Sequence, residues 1–158
     1  MSQSRPSYAA LNANYPRKPE NDWKTLFHSI GWDDLYDNYD YFNTCAIRVS
    51  IALLGAGYSF PGRMKIKAGR LKGRMIEPGQ ANLSKILARP TYLGKPEIYA
   101  SQAAALAGIG KRQGIVSFFR IDSFDATNRQ GHIDLVGSSN SGLACAGACF
   151  WGAREIWF

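Results

Sequence analysis

At Gly114 the periodicity of the chain changes, and that change limits the fold more than any other feature of the sequence. Upstream, apolar residues recur at helical spacing in three places. Trp23, Leu26, Phe27 and Ile30 follow a capping Asp22 and precede Gly31; Ile47, Ile51 and Leu54 follow Asn43 and precede Gly55; Leu83, Ile86 and Leu87 follow Asn82 and stop before Pro90. A further helix is expected over 97–106, with Gly108 and Gly110 beyond it. Downstream, the run from Gly114 through Val116 and Phe118 to Arg120 reads as a buried strand. His132-Ile133-Asp134-Leu135-Val136 reads as a strand of alternating faces, and 154–158 as a third. Helices first and an antiparallel sheet afterwards make an α+β domain. The 158 residues suit a single domain over 1–158, in which the polar, proline-bearing 1–21 is expected as an irregular N-terminal arm.

Composition excludes several classes. With 46% hydrophobic and 20% charged residues, the chain is neither disordered nor fibrous. Arg48 interrupts the longest apolar candidate, so no membrane span is expected. The first twenty residues carry Arg5, Pro6, Pro16, Arg17, Lys18 and Pro19 without the apolar stretch of a signal peptide. Such a chain stays in the cytosol or leaves by a route that reads no such signal. Its net charge of +7 is concentrated in Arg63, Lys65, Lys67, Arg70, Lys72 and Arg74, interleaved with Met64, Ile66 and Leu71. Two readings are open for this segment: a surface for a polyanion, whether nucleic acid, acidic lipid or wall polymer, or a solvated loop or ragged hairpin. Acidic residues gather separately at Asp33, Asp34, Asp37 and Asp40, which makes the molecule bipolar.

The helix beginning near Asn43 carries Cys45 in its first turn. There the unpaired backbone N–H groups and the positive end of the helix dipole favour a thiolate, which turns a cysteine into a nucleophile. The alternative is a small buried apolar side chain. Of the two histidines, His28 lies beside Phe27 on a short helix and reads as a packing or surface residue. His132 opens the alternating strand, where period-two geometry puts His132, Asp134 and Val136 on one face and Ile133 and Leu135 on the other. A thiol at a helix N-terminus facing an imidazole on a sheet is the arrangement of papain-like cysteine hydrolases, and the chain order fits. Cys145 and Cys149 are four apart while Cys45 stands alone, so the three cysteines suggest one local disulfide and one free thiol. That bridge needs an oxidising compartment, in tension with the missing signal peptide.

A Cys₃His zinc site over Cys45, His132, Cys145 and Cys149 is conceivable, but the deaminase pattern of H-x-E followed by P-C-x-x-C is not there. Gly108-Ile109-Gly110-Lys111-Arg112 is no phosphate loop, since position 105 is alanine and no Ser or Thr follows Lys111. No metal site and no cofactor are expected.

Asn43-Thr44-Cys45-Ala46-Ile47-Arg48-Val49-Ser50-Ile51-Ala52-Leu53, Gly114-Ile115-Val116, Gly131-His132-Ile133-Asp134-Leu135, the cysteine pair and the terminal Glu155-Ile156-Trp157 together resemble type VI secretion amidase effector family 4. The likeness runs from about residue 20 to the C-terminus, and is one of pattern alone over 58–112. It implies an NlpC-like, papain-type α+β fold, with the catalytic cysteine at a helix N-terminus packed on an antiparallel sheet. It implies a peptidoglycan amidase that cleaves stem peptides between D-glutamate and meso-diaminopimelate, with Cys45 as nucleophile and His132 as base. Such proteins are delivered by type VI secretion machinery into the periplasm of a rival bacterium, and a cognate immunity protein occludes the active site in the producer. Injection would dissolve the tension over compartments, because no signal peptide is needed and the cysteine pair can oxidise on arrival.

One departure stands out. The family places an aspartate between the paired cysteines to orient the histidine, whereas here that loop holds Ala146, Gly147 and Ala148. Two acceptors can take its place: Asp134, two residues from His132, or a backbone carbonyl of the 145–149 loop. Two rival functions also stand: a non-enzymatic basic module that binds polyanions through 63–74, and a papain-like amidase with another substrate. The resemblance implies neither a nucleic-acid partner nor a membrane span.

Overall fold

The computed structural model describes residues 3–122 and 131–158. Among the described residues there are five α-helices: α1 (Tyr8–Asn14), α2 (Trp23–Ser29), α3 (Cys45–Gly55), α4 (Gln80–Leu87) and α5 (Gln102–Ile109). Two short strands, β1 (Met64–Lys65) and β2 (Met75–Ile76), make an antiparallel hairpin of the basic segment. The remaining strands are β3 (Ile98–Tyr99), β4 (Gly114–Phe119), β5 (His132–Ser139), β6 (Gly142–Cys145) and β7 (Glu155–Trp157). They form one sheet in the order β3-β7-β4-β5-β6, with every neighbouring pair antiparallel.

The sheet separates two cores. Ile133 and Leu135 of β5 join Ile47, Val49 and Leu53 of α3, Leu11 of α1 and Leu83 of α4. On the other face, Val136 joins Val116 and Phe118 of β4, Ile156 of β7, and Ala105 and Ile109 of α5. Alternation along β5 therefore divides its apolar side chains between two layers, as a strand of period two must. Within α3 only Ile51 and Gly55 are not buried, so this helix runs through the interior. No helix among the described residues is long and apolar enough to cross a membrane.

Several expectations need correction. The 1–21 arm is not irregular, although its first two residues lie outside the described ones. Ser7 caps α1 by accepting from the Ala10 N–H, and Leu11 and Tyr15 are buried on the inward side. The helix expected from Asn82 starts two residues earlier, after Gly79, whose N–H is held by Glu77 Oε2. Over 97–106 the chain begins as strand, because Ile98 and Tyr99 pair with Trp157 and Ile156; Ser101 then caps α5. Strand β6 was not expected, since Gly142 and Ala144 give it no alternating apolar signal.

Candidate active site

The α3 helix begins at Cys45 itself, not at Asn43. Thr44 occupies the cap position without a side-chain cap bond, and Asn43 lies one residue further out. Its amide is nevertheless structural: Oδ1 accepts from the Cys45 N–H at 3.2 Å, and Nδ2 donates to the Gly131 carbonyl at 3.0 Å. Asn43 thus ties the start of the cysteine helix to the residue before His132. Gly131 is required there, because a β-carbon would come within 2.0 Å of the Phe118 carbonyl oxygen.

His132 and Asp134 are joined by a hydrogen bond of 2.7 Å between Nε2 and Oδ2. With Nε2 so engaged, Nδ1 is the nitrogen left for the Cys45 side. The ring is packed edge-on by Phe150 at 5.0 Å between centroids and stacked on Phe118 at 6.2 Å. Burial works against a charged imidazole, yet hydrogen bonds with Asp134 and Cys45 outweigh it and push the His132 pKa up to about 9.

Asp134 is fully buried. A buried carboxylate persists only when its oxygens are satisfied, and this one is. Oδ1 accepts from the Leu135 N–H at 2.8 Å, and Oδ2 accepts from the Gly147 and Ala148 N–H groups, both at 3.0 Å. Those two donors belong to the tight loop closed by the Cys145–Cys149 disulfide, whose Cα atoms are 5.3 Å apart. The loop therefore turns N–H groups, not a carbonyl, towards the histidine's partner. Gly147 is necessary for that approach: a β-carbon on it would lie 2.8 Å from Oδ2 and 3.4 Å from the Tyr15 hydroxyl. Cys45 is the free cysteine, and the bridged sulfurs of Cys145 and Cys149 are not available as zinc ligands.

A cleft of about 360 Å³ exposes this arrangement, lined by Cys45 and His132, by Tyr15 and Lys18 of the N-terminal segment, and by Phe42 and Phe150. Arg48 lies one turn along α3 from Cys45 and also lines it. Its guanidinium is buried, donates to the Thr44 hydroxyl at 2.9 Å, and donates to the Pro16 and Asn21 carbonyls at 2.7 Å each. Burial lowers the Arg48 pKa, against the pull of Tyr15, Asp22, Asp134 and Cys45. Burial also raises the Tyr15 pKa, with Asp134 adding to the effect, so the phenol stays neutral beside the carboxylate. A larger cavity of about 420 Å³, lined by Arg5, Tyr8, Ser84, Arg112 and Trp157 among others, includes neither Cys45 nor His132.

Cys45, His132 and Asp134 are thus adjacent, and the cysteine pair flanks them. Sequence reasoning missed Tyr15, Arg48 and Phe150 as cleft residues. Tyr15 carried one available signal, since it continues the helical spacing of Tyr8 and Leu11. His28 is on the surface, paired with Asp33 Oδ1 at 2.8 Å.

Comparison with known proteins bears on the same residues. A family model described as Tae4, type VI secretion system (T6SS), amidase effector protein 4, matches residues 41–158. The chain is similar to the type VI effector–immunity complex Tae4–Tai4 from Enterobacter cloacae, with a TM-score of 0.72 and 22% identity over 98% of each chain. It is similar to the type VI effector Tae4 from Enterobacter cloacae, with a TM-score of 0.71 and 21% identity over 100% of this chain and 98% of the other. For the Tae4–Tai4 complex from Salmonella Typhimurium the TM-score is 0.65, at 18% identity over 98% of this chain and 97% of the other. These likenesses bear out the α+β, papain-like fold class. No curated protein sequence matches the chain significantly.

Proposed function

Because the chain belongs to the Tae4 family of type VI secretion system amidase effectors, we propose that it hydrolyses the γ-D-glutamyl–meso-diaminopimelate bond of peptidoglycan stem peptides by a Cys45–His132–Asp134 mechanism. The observation that carries this reading is the chain of contacts from Cys45 through His132 to a buried carboxylate clamped by the disulfide loop. His132 takes the Cys45 proton, and the thiolate attacks the γ-glutamyl carbonyl carbon. Collapse of the tetrahedral intermediate breaks the C–N bond as the imidazolium protonates the leaving amine. A water molecule, deprotonated by His132, then hydrolyses the thioester and restores the thiol. Asp134 stabilises the imidazolium and holds Nδ1 towards sulfur, as a third member of such a triad does. The oxyanion is met at the N-terminus of α3. There the long Cys45 N–H bond to Asn43 Oδ1 gives way to a shorter, charge-assisted one. Lys18 and Arg48 favour an anionic stem peptide in the cleft.

On this reading the protein is exported by the type VI machinery and acts in the periplasm of the target cell, where Cys145 and Cys149 oxidise. An immunity protein that fills the cleft protects the producer, in keeping with the Tae4–Tai4 complexes to which the chain is similar. Mass spectrometry of purified peptidoglycan after digestion tests the proposal. New ends are expected at the D-glutamate to diaminopimelate bond with wild-type protein and none with Cys45→Ala. Cleavage retained in Cys45→Ala overturns the mechanism, and ends at a different bond overturn the substrate assignment.

A further inference from the structure

Three large hydrophobic side chains are exposed among the described residues, Tyr39, Phe42 and Ile98, and the first two pack against each other in a tilted arrangement beside the cleft that Phe42 lines. Tyr39 is 83% and Phe42 44% exposed, with ring centroids 4.5 Å apart at 32°. Phe42 also lines the cleft that holds Cys45, and Trp23 extends the row, 5.9 Å from Phe42. The main chain that carries Tyr39 and Phe42 is ordered by local hydrogen bonds. Tyr39–Tyr41 is a 3-10 helix whose first turn is capped by Asn38 Oδ1 accepting from the Asp40 N–H, and the Phe42 N–H closes on the Tyr39 carbonyl. The Trp23 indole N–H donates to the Tyr36 carbonyl at 3.2 Å. The result is a row of three tilted rings that reaches the cleft at Phe42, with Lys24 Nζ over the Trp23 ring at 5.1 Å.

We propose that the Tyr39–Phe42–Trp23 platform binds a neutral amino sugar of the glycan strand, presenting the stem peptide attached to that sugar to Cys45. The proposal rests on the peptidoglycan reading above. Aromatic faces carry negative charge density and attract the C–H bonds that line one face of a hexopyranose ring. Asp37 and Asp40 are exposed beside the rings. Their carboxylates accept hydrogen bonds from sugar hydroxyls and acetamido N–H groups, and they repel anions. That charge selects a neutral, donor-rich ring over a phosphate polymer, which the basic β1–β2 hairpin would attract instead. Phe42, three residues before Cys45, lines the same cleft, so a ring bound on it lies on the approach to the nucleophile.

Two soluble substrates provide the test: a disaccharide-bearing muropeptide and the same peptide without sugar. Tyr39→Ala is expected to lower kcat/KM on the sugar-bearing substrate on the order of fivefold relative to the sugar-free one, and Tyr39→Trp to restore the ratio. An equal effect of Tyr39→Ala on both substrates overturns the proposal. If wild-type protein cleaves neither substrate, the amidase reading fails separately. Binding of an N-acetylglucosamine trimer, followed by tryptophan fluorescence, then decides the platform: binding lost in Tyr39→Ala supports it, and binding absent from wild type or unchanged in the variant overturns it.

Discussion

The Asp134 side chain is fully buried and held by the groups around it. Leu135, Gly147 and Ala148 donate backbone N–H groups, and the His132 ring meets the remaining lone-pair direction. Asp134→Asn keeps the shape but removes the charge, and its NH₂ group must face either the imidazole or the loop N–H groups. The expected cost in kcat is about 10²-fold or more. The sign of the pH effect follows from the geometry. The Asp134 hydrogen bond holds the His132 pKa up near 9, so in the variant the limb of kcat/KM that reports His132 moves to lower pH. A kcat/KM profile across that range checks it, and an unmoved limb would mean that Asp134 does not set the base. Period-two reasoning already put Asp134 on the His132 side of the strand. It left a loop carbonyl as the competing acceptor, because a five-residue loop's peptide orientations are not written in its composition.

At the scale of elements, the disulfide loop after β6 and the start of α3 grip the base strand from two directions. The loop does so through Gly147 and Ala148, the helix through Asn43 and its bonds to Cys45 and Gly131. A four-residue separation closes little chain, so the Cys145–Cys149 bridge contributes only about 2 kcal/mol through loop entropy. Its larger effect is on the direction of two N–H groups. Reduction, or a Cys145→Ser/Cys149→Ser double variant, is therefore expected to lower activity by a larger factor than it lowers stability. Comparing kcat with the urea midpoint in the presence and absence of reductant checks the split. Thiol titration of the oxidised protein should find one free cysteine, Cys45. The α1 helix belongs at this scale too. A proline-bearing, polar arm looks irregular residue by residue, but Leu11 and Tyr15 acquire a core to pack on only once α3 is in place.

For the whole molecule, the His132–Asp134 pair is also a stability term. His132 rises from an ordinary 6.5 to about 9 on folding. The folded state therefore holds the proton more tightly. The contribution is full below about pH 6.5 and is lost as pH rises through about 9, on the order of 3 kcal/mol. Urea midpoints should fall between about pH 6 and pH 9.5 in wild type, and His132→Gln should remove most of that slope. The sequence alone determined the fold class, the helix bearing Cys45, the alternating strand bearing His132 and Asp134, and the basic character of 63–74, because each is written in local periodicity or charge. It also carried the family resemblance, through residues clustered in two short blocks. Tertiary structure alone decided that α1 exists, that β3 opens the segment expected as helix, and that Arg48 lies buried beneath the cleft. It decided, too, that the disulfide loop offers donors to a strand carboxylate. Those outcomes depend on which distant backbone groups meet in space, and a chain read in order has no local signal for that. The residue that orients His132 was legible as one of two candidates; the choice between them lay in the direction of the Gly147 and Ala148 N–H bonds.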